Sequence, residues 1–416
     1  MAREKIREFD AKKLLTEHLK DRTAPYKAVL VDLNTPLASL PKQYPWLTKT
    51  KLVVKPDQLF GKRKQYNLVL VNATFNQVHD FITTHHNTET TIGKATDKLT
   101  HFLIEPFIPH DKEYYLAITS ERYTDVIHFS PEGGFNIEER WDTVTHITVP
   151  LLTHLTEKNI QSHLPPFPEK EKIITFIQSM YSLYVSLDFS YLEINPFCFD
   201  NNNQIHLLDT VAQVDGCASF KHIEDWKDLS FPRPFGNKPY PEEEYIAKLD
   251  KESGASLKLT ILNPNGRIWN ILSGGGASII YLDTIVDSGL GKELANYGEY
   301  SGNPTTEESY QYARTVLDLM TRKPHPKGKL LFIAGAIANF TDVKETFKGI
   351  VRALEEFQDK LRKNHISIFV RRGGPNYEQG LKLIKETADR IHVPMEVYGP
   401  ETPMVSIIPT ALKKLQ

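Results

Sequence analysis

A short apolar run followed directly by an amphipathic segment, at residues 329–356, constrains the fold of this chain more than any other feature. Residues 330–333 are Leu-Leu-Phe-Ile, a pattern typical of a central parallel strand. Gly335 would then allow a turn, and Asp342, with Glu345 three residues later, has the spacing of a helix N-cap and capping box. The apolar residues that follow at helical spacing are Val343, Phe347, Ile350, Val351, Leu354 and Phe357. This stretch therefore predicts a strand, a tight turn and a helix.

The start of the predicted helix has two interpretations. Helix N-termini carry free N–H groups and a partial positive charge, so Asn339 and Thr341 could hold a carboxylate or a phosphate there. The alternative is a capped strand–helix unit that binds no ligand, because a fold element does not by itself define a site. The stretch alone leaves both interpretations open.

A repeated alternation of strand, turn and helix runs from residue 269 to residue 398, as expected for an open parallel sheet. Residues 297–304 are predicted to form a glycine-bearing loop within it. Three groups fall at predicted strand ends, where such sheets bind ligands: Ser273 with three glycines after it, residues 339–341, and the arginines at 371–372. The glycines could form a plain strand-to-helix turn, but arginine binds carboxylates bidentately. Together the three groups favour a site for a polyanion.

The first half of the chain offers groups that suit a nucleotide. Two apolar strands, near residues 51–55 and 68–71, are joined by a loop rich in glycine and lysine, which could meet phosphates or form a solvated hairpin. A further apolar strand at residues 102–108 contains Pro106, and Glu113 follows it. One interpretation is a strand edge whose open backbone groups bind an adenine amine, with Glu113 binding a ribose. The other is an edge strand whose proline blocks further pairing.

Two polar residues at the ends of neighbouring strands suggest a magnesium site. Residues 191–197 and 206–210 form strands joined by a polar turn, and they present Asn195 and Asp209. Magnesium takes hard oxygen ligands, usually one or two from protein and the rest from phosphate and water. Glu193 is expected on the same face as Asn195 by strand alternation. The alternative is a polar strand face on which Asp209 is simply solvated.

Composition narrows the classes of function and the compartment. The 416 residues suggest two or three domains, and residues 215–240 are predicted to tether them. Lysine and arginine number 50 against 52 acidic residues, which argues against a nucleic-acid or membrane partner. The two cysteines, Cys198 and Cys217, form no CxxC pattern, and no secretion signal or membrane-length apolar run occurs. A cytoplasmic location is therefore expected.

Eight longer strings carry a family resemblance. They are Lys-Pro-Asp (55–57), Tyr-Leu-Glu-Ile-Asn-Pro (191–196), Ser-Gly-Ala-Ser-Leu-Lys (253–258), Gly-Arg-Ile-Trp (266–269), Gly-Gly-Gly-Ala-Ser (274–278), Glu-Leu-Ala-Asn-Tyr-Gly-Glu-Tyr-Ser-Gly (293–302), Ile-Ala-Asn-Phe-Thr (337–341) and Phe-Val-Arg-Arg-Gly-Gly-Pro-Asn-Tyr (369–377). Together they resemble the ATP-citrate lyase family, in the part homologous to the succinyl-CoA synthetase β subunit. The resemblance runs from about residue 10 to about residue 405.

The resemblance implies an α/β fold, with an ATP-grasp module of two α+β subdomains followed by a flavodoxin-like, doubly wound parallel-sheet domain. It places the larger ATP-grasp subdomain at residues 1–14 and 109–236, the smaller one at 15–108, and the citrate-binding domain at 237–416. Because the family's one-chain enzymes continue beyond this point, the chain looks like one subunit of the two-subunit form.

The resemblance also implies site residues. Those for ATP are Lys55, Arg63, Lys64, Pro106, Ile108 and Glu113. Those for Mg²⁺ are Asn195 and Asp209, and those for a second cation are Asp250, Ser253 and Ala255. Those for citrate are Gly302, Asn339, Thr341, Phe357 and Arg372. Two positions depart from the family pattern. Lys64 stands where a glycine is usual, so the backbone contact expected at that position would be affected, and Phe357 stands where a tyrosine is often found.

The reaction implied converts ATP, citrate and CoA to acetyl-CoA, oxaloacetate, ADP and phosphate through a phosphohistidine, citryl phosphate and citryl-CoA. No Gly-His-Ala-Gly string of the phosphohistidine type occurs among the 15 histidines, so no catalytic residue is assigned to this chain. A partner subunit is expected to supply the histidine, most of the CoA site and a citrate-synthase-like module, in a hetero-oligomer. The alternatives are a subunit of a citryl-CoA or succinyl-CoA synthetase, a non-catalytic citrate or nucleotide sensor, and a lone ATP-grasp ligase.

Overall fold

The computed structural model describes residues 3–134 and 137–415, and the chain forms two compact units, Met1–Asn237 and Lys238–Gln416. No helix in the described ranges is both long and apolar enough to cross a bilayer. The predicted division of the first unit into subdomains at residues 14 and 108 remains a prediction.

The first unit alternates short strands with few helices. Its strands are β1 (Arg3–Ile6), β2 (Val29–Val31), β3 (Leu52–Pro56), β4 (Leu70–Ala73), β5 (Glu89–Ile92), β6 (Ala95–Lys98), β7 (Phe102–Pro106), β8 (Tyr114–Ser120), β9 (Thr124–Ser130), β10 (Thr145–Pro150), β11 (Phe189–Phe199), β12 (Ile205–Leu207) and β13 (Thr210–Asp215). Its helices are α1 (Glu8–His18), α2 (Leu40–Gln43), α3 (Phe75–His85), α4 (Glu157–His163) and α5 (Lys170–Ser186).

Two antiparallel sheets organise this unit. The larger has the order β1-β13-β11-β8-β9-β10, with β12 on β11, and its core includes residues of α1 and α5. The smaller has the order β2-β7-β3-β4 and packs against α3. The prediction that residues 102–108 form an edge strand is wrong, because β7 lies between β2 and β3 and Pro106 pairs with Leu52 at its end.

The segment predicted to be a tether is packed instead. Trp226 belongs to the core of the larger sheet, and Phe235 belongs to the core of the smaller one. Residues 216–237 therefore cover the first unit, because their aromatic side chains bury apolar area there that a solvated linker would expose.

The second unit alternates strands and helices in the predicted way. Its strands are β14 (Ser256–Ile261), β15 (Ile268–Ser273), β16 (Asn296–Ser301), β17 (Lys329–Ile337), β18 (Ile366–Gly373) and β19 (Met395–Tyr398). Its helices are α6 (Pro241–Glu252), α7 (Gly275–Ile285), α8 (Thr306–Thr321), α9 (Val343–Glu356), α10 (Gln358–Lys363), α11 (Tyr377–Ile391) and α12 (Ile407–Leu412).

The sheet of the second unit has the order β14-β16-β15-β17-β18-β19 and is parallel except for β14. Helices α8, α9 and α11 share a core with one face, and α7 and α12 share a core with the other, so the sheet is doubly wound. The loop predicted at residues 297–304 is wrong for 297–301, which belong to β16 with alternate residues buried, and only 302–304 lie outside the strand. The side chain of Asn296 bonds to both the N–H and the carbonyl of Asn270 and holds that strand in the sheet.

The strand and helix predicted for residues 329–356 are confirmed as β17 and α9, but the turn lies elsewhere. Gly335 is inside β17, where a Cβ would stand 2.5 Å from the carbonyl oxygen of Ser273, so glycine is needed for close strand approach. Asp342 caps α9 by accepting from the N–H of Glu345 at 3.0 Å. Its own N–H donates to Asn303 at 2.9 Å rather than to Glu345, so the capping box is only half formed.

Candidate nucleotide and anion sites

A cavity of about 1040 Å³ in the first unit is lined by residues of its seven-stranded and its four-stranded sheet. It brings together every residue predicted for ATP and for the first magnesium position: Lys55, Arg63, Lys64, Pro106, Ile108, Glu113, Asn195 and Asp209. These residues come from β3, β7, β11 and the loops beside them, so only folding places them in one cavity.

The two predicted phosphate-binding cations are held by one buried acid, Glu8, and one exposed acid, Asp209. Lys55 Nζ donates to Glu8 Oε1 at 2.6 Å and lies 3.6 Å from Asp209 Oδ1. Arg63 Nη1 donates to Glu8 Oε2 at 2.6 Å and to Asp209 Oδ1 at 3.2 Å. Burial disfavours the charged Glu8, but Lys12, Lys55 and Arg63 outweigh it and hold the pKa of Glu8 well below its usual range. Glu8 escaped the sequence prediction, because it lies 47 residues before Lys55.

The side chain at position 64 causes no backbone strain. The residues with positive φ in this segment are Lys62 and Asn67, and Lys64 lies between them in a short 3₁₀ turn, with its side chain exposed. A glycine is therefore not required there by the backbone. The departure from the family pattern leaves the loop intact and adds a cation at the cavity.

The end of β7 supplies the wall expected to face a base. Pro106 closes the strand, and the N–H of Phe107 donates to the carbonyl of Lys51 at 2.7 Å. His110 bonds through one ring nitrogen to the Ile108 carbonyl at 2.7 Å and through the other to Glu113 at 3.3 Å. Pro106, Ile108 and Glu113 thus form one side of the cavity, which suits an adenine edge and a ribose.

The predicted magnesium residues present hard oxygen atoms to the same cavity. Asn195 Oδ1 accepts from the N–H of Gly134 at 2.8 Å, and the side chain of Asp209 is 43 % exposed. Glu193 lines the cavity with Asn195, as strand alternation predicts. No group of three or more His, Cys, Asp and Glu within 3–134 and 137–415 could hold a metal ion. The amide oxygen of Asn195 and the carboxylate of Asp209 suit Mg²⁺ by their chemistry, since its other ligands are usually phosphate and water.

In the second unit, the predicted anion groups meet at the carboxyl ends of the parallel strands. Arg372 is 1 % exposed; its Nη2 donates to Ser273 Oγ at 2.6 Å and its Nη1 to the carbonyl of Ala336. Thr341 is buried and Asn339 exposed just before α9. Burial raises the pKa of Tyr300, whose hydroxyl lies near Arg372 and Ser273; the sequence did not single out this tyrosine.

Arg371 and Arg372 make different contacts, because successive residues of a strand point to opposite faces of the sheet. Arg371 donates to the carbonyls of Gly335, Pro400 and Thr402, which ties the C-terminal segment to the sheet. Arg372 faces the side of α9. Of the pair, Arg372 is therefore the arginine that lies with the other residues predicted for an anion.

Gly302 follows β16 with a φ of +75°, and a Cβ there would lie 3.2 Å from Ala255. The predicted second cation position, Asp250, Ser253 and Ala255, forms the turn against it. The carboxylate of Asp250 accepts from the N–H of Leu257 and pairs with Lys258, and Ser253 Oγ accepts from the N–H of Ala255. These oxygen atoms already accept hydrogen bonds that stabilise the turn, and the second cation position remains a prediction.

Phe357 does not lie at the strand ends with the other predicted citrate residues. It follows the last residue of α9, whereas Asn339 and Thr341 precede the first, and the 14-residue helix spans about 21 Å. Phe357 is 4 % exposed and packs in the core with Leu361 and Ile366. The structure therefore separates Phe357 from the proposed citrate group, and its missing hydroxyl has no consequence there.

The fold and the two sites define the class of the protein, an ATP-grasp subunit with a second, flavodoxin-like unit. The sequence matches the family described as ATP-citrate synthase ATP-grasp domain over residues 2–226 and that described as ATP citrate lyase citrate-binding over residues 237–414. The chain therefore belongs to the ATP-citrate lyase family, as the subunit that carries these two domains. The predicted family, fold class and enzyme function are confirmed.

Individual relatives agree along the whole chain. ATP-citrate synthase alpha chain protein 2 of Arabidopsis thaliana is 45 % identical over 418 residues, 99 % of both chains. ATP-citrate synthase of Homo sapiens is 44 % identical over 420 residues, which are 99 % of this chain but 38 % of the human one. The structure of ATP citrate lyase from Methanothrix soehngenii in complex with citrate and coenzyme A matches with a TM-score of 0.87 and 48 % identity, over 99 % of this chain and 100 % of that one.

Proposed function

We propose that this chain binds Mg-ATP in the cavity of its first unit and citrate at the strand ends of its second, and that it phosphorylates a histidine of a separate subunit. The observation that carries the proposal is the convergence of eight predicted residues, from five separate segments, on one cavity. The Methanothrix relative was solved with citrate and coenzyme A, which supports citrate as the ligand of the second unit.

In the first unit, phosphoryl transfer needs positioning and charge neutralisation more than covalent chemistry by the protein. Lys55 and Arg63 would donate to phosphate oxygens, and Glu113 would accept from a ribose hydroxyl. Mg²⁺ held by Asn195 and Asp209 would neutralise charge on the transferred group. The backbone near Ile108 would hold the base at the side of the cavity opposite these two cations. The cavity walls would then direct the phosphate chain towards the cations.

In the second unit, Arg372 would bind a citrate carboxylate, and the N-terminus of α9 would stabilise a second one. The helix start contributes free N–H groups and a partial positive charge. Asn339 and Thr341 add an amide and a hydroxyl that can donate hydrogen bonds, and Gly302 is proposed to contribute its backbone. These groups would also favour an anionic phosphate on citrate, which is the intermediate expected before CoA attacks.

The partner is proposed to be a second subunit that carries the phosphohistidine, most of the CoA site and the citrate-synthase-like module. The plant relatives called alpha chains are covered over 98–99 % of their length, whereas the human enzyme is longer. This pattern supports a hetero-oligomer. A cytoplasmic location is also proposed, with Cys198 and Cys217 as free thiols.

The deciding experiment mixes the purified chain with its separately purified partner subunit, ATP, citrate and CoA. We expect ATP-dependent formation of acetyl-CoA and oxaloacetate by the mixture and by neither subunit alone. Accumulation of citryl-CoA without acetyl-CoA would identify a synthetase subunit instead. Binding of citrate and nucleotide without any turnover in the mixture would identify a sensor, and turnover by this chain alone would revive a lone ligase.

A further inference from the structure

The start of α1 is capped from another part of the chain. Its own N-cap residue, Arg7, makes no side-chain capping bond. Asp57, two residues after Lys55, provides the cap: its Oδ1 accepts from the N–H of Glu8 at 2.9 Å and its Oδ2 from the N–H of Phe9 at 3.1 Å. Asp57 is 1 % exposed, so the cap is shielded from water. The segment that carries Lys55 therefore also fixes the first turn of α1.

That first turn directs one carboxylate onto both phosphate-binding cations. Glu8 Oε1 accepts from Lys55 at 2.6 Å, and Glu8 Oε2 accepts from Arg63 at 2.6 Å. The side chain of Glu8 is 1 % exposed, whereas that of Asp209, which also meets both cations, is 43 % exposed and lines the cavity. Glu8 thus lies behind the two cations, on the side away from solvent.

The buried charges around Glu8 keep partners even without it. Lys12 Nζ lies 2.7 Å from Glu8 Oε1, but it also donates to both carboxylate oxygens of Glu105, at 3.0 and 2.9 Å, and to the carbonyl of Leu208 at 2.7 Å. Lys55 also donates to the Leu208 carbonyl, at 2.9 Å. Removing the charge of Glu8 would therefore loosen the two cations without leaving Lys12 unpaired.

We propose that Glu8 is a positioning residue for the nucleotide phosphates, with Lys55 on one carboxylate oxygen, Arg63 on the other and Asp57 holding the backbone beneath it. The inference rests on the nucleotide role proposed for the cavity. Lysine and arginine side chains lose considerable rotamer freedom when they bind a ligand. Because Glu8 orders both before the phosphates arrive, that loss is not incurred on binding. Glu8 itself touches no phosphate.

The test compares binding of the β,γ-imido analogue of ATP, with Mg²⁺, and of adenosine to the full chain by isothermal titration calorimetry. We expect Glu8→Gln to weaken the analogue roughly tenfold, the effect of losing charge-assisted hydrogen bonds, and to leave adenosine unchanged. Glu17→Gln is the matched control, because it removes the same charge from an exposed position of α1. Glu8→Asp keeps the charge on a shorter side chain and should weaken the analogue less than Glu8→Gln.

Three outcomes would overturn the inference. Unchanged binding of the analogue by Glu8→Gln would show that Glu8 does not position the cations, and tighter binding would make Glu8 a competitor of phosphate. Equal loss of the analogue and adenosine would indicate a general structural role. Failure of the unaltered chain to bind the analogue would instead reject the nucleotide role itself.

A second variant tests the cap. Asp57→Asn can accept fewer N–H groups, so it should show the same selective loss of the analogue to a smaller extent. Because both residues act through the same two cations, the double variant should lose less affinity than the sum of the losses in Glu8→Gln and Asp57→Asn. Full additivity would show that Asp57 does not act through the positioning of Lys55 and Arg63.

Discussion

The two proposed anion sites differ in whether acidic side chains neutralise their cations. In the first unit, Lys55 and Arg63 share the carboxylates of Glu8 and Asp209. In the second, Arg372 bonds to Ser273 and Ala336 through neutral oxygen atoms, and the described residues give it no ion pair. A buried cation with only neutral partners attracts a polyanion directly. A compensated pair depends on geometry set beforehand, and a metal bound by Asp209 would free the two cations for phosphate.

The largest effect is expected from the uncompensated site. Arg372→Ala should weaken citrate binding about 100-fold, because a bidentate charged contact is lost, and should leave nucleotide binding unchanged. Calorimetric titration of the full chain with citrate and with the ATP analogue measures both. Arg372→Lys keeps the charge without the planar fork and should fall between. Equal loss of both ligands in Arg372→Ala would indicate misfolding rather than a lost contact.

A smaller effect is expected at the compensated site. Asp209→Asn should abolish the gain in analogue affinity that Mg²⁺ provides, about tenfold, because an amide replaces the anionic metal ligand. Titrations of the unaltered chain with Mg²⁺ and with EDTA supply the reference values. If Mg²⁺ still increases the affinity of the variant by the same factor, Asp209 is no ligand and serves only to neutralise the cations.

Charge compensation in the first unit also predicts a pH dependence. Burial, with a further contribution from Glu8, raises the pKa of Asp57 from 3.8 to about 6. The folded state therefore binds the proton more tightly, and this stabilisation, full below pH 3.8, is lost as the pH rises through about 6. Between about pH 5 and about pH 7 the free energy of unfolding should fall by about 1 kcal/mol from this group.

Comparing urea unfolding of the unaltered chain and of Asp57→Asn at both pH values isolates this contribution, because the lowered pKa of His101, about 4, makes the free energy of unfolding rise over the same range. The lowered pKa of Glu8 acts in the opposite direction but only as the pH falls below 4.5, outside this range. An identical change in the Asn variant and in the unaltered chain would show that Asp57 makes no contribution to the pH dependence.

The smallest effect on citrate affinity is expected at Phe357, which lies in the core and not at the citrate site. Phe357→Tyr should leave citrate affinity unchanged, since the residue lies at the far end of α9. It should lower the free energy of unfolding by about 1 kcal/mol, because a hydroxyl enters an apolar core. Calorimetry and urea unfolding of the same preparation test both. A gain in citrate affinity would place Phe357 at the site after all.

The sequence determined the local elements and the chemistry of the sites. The period of apolar residues was enough to identify β17 and α9, and the long strings around Asn195 and Arg372 were enough to identify the family, because both signals lie within short stretches of chain. It also placed Glu193 on the face of Asn195, since side chains alternate along a strand.

Only the tertiary structure decided which distant groups meet. It placed β7 inside a sheet, moved Phe357 away from the strand ends, and closed the turn at Asp250 with its own hydrogen bonds. It also brought Glu8 from the first helix to Lys55 and Arg63. Such contacts depend on sheet order and on the direction of a strand face, which no local pattern of residues encodes.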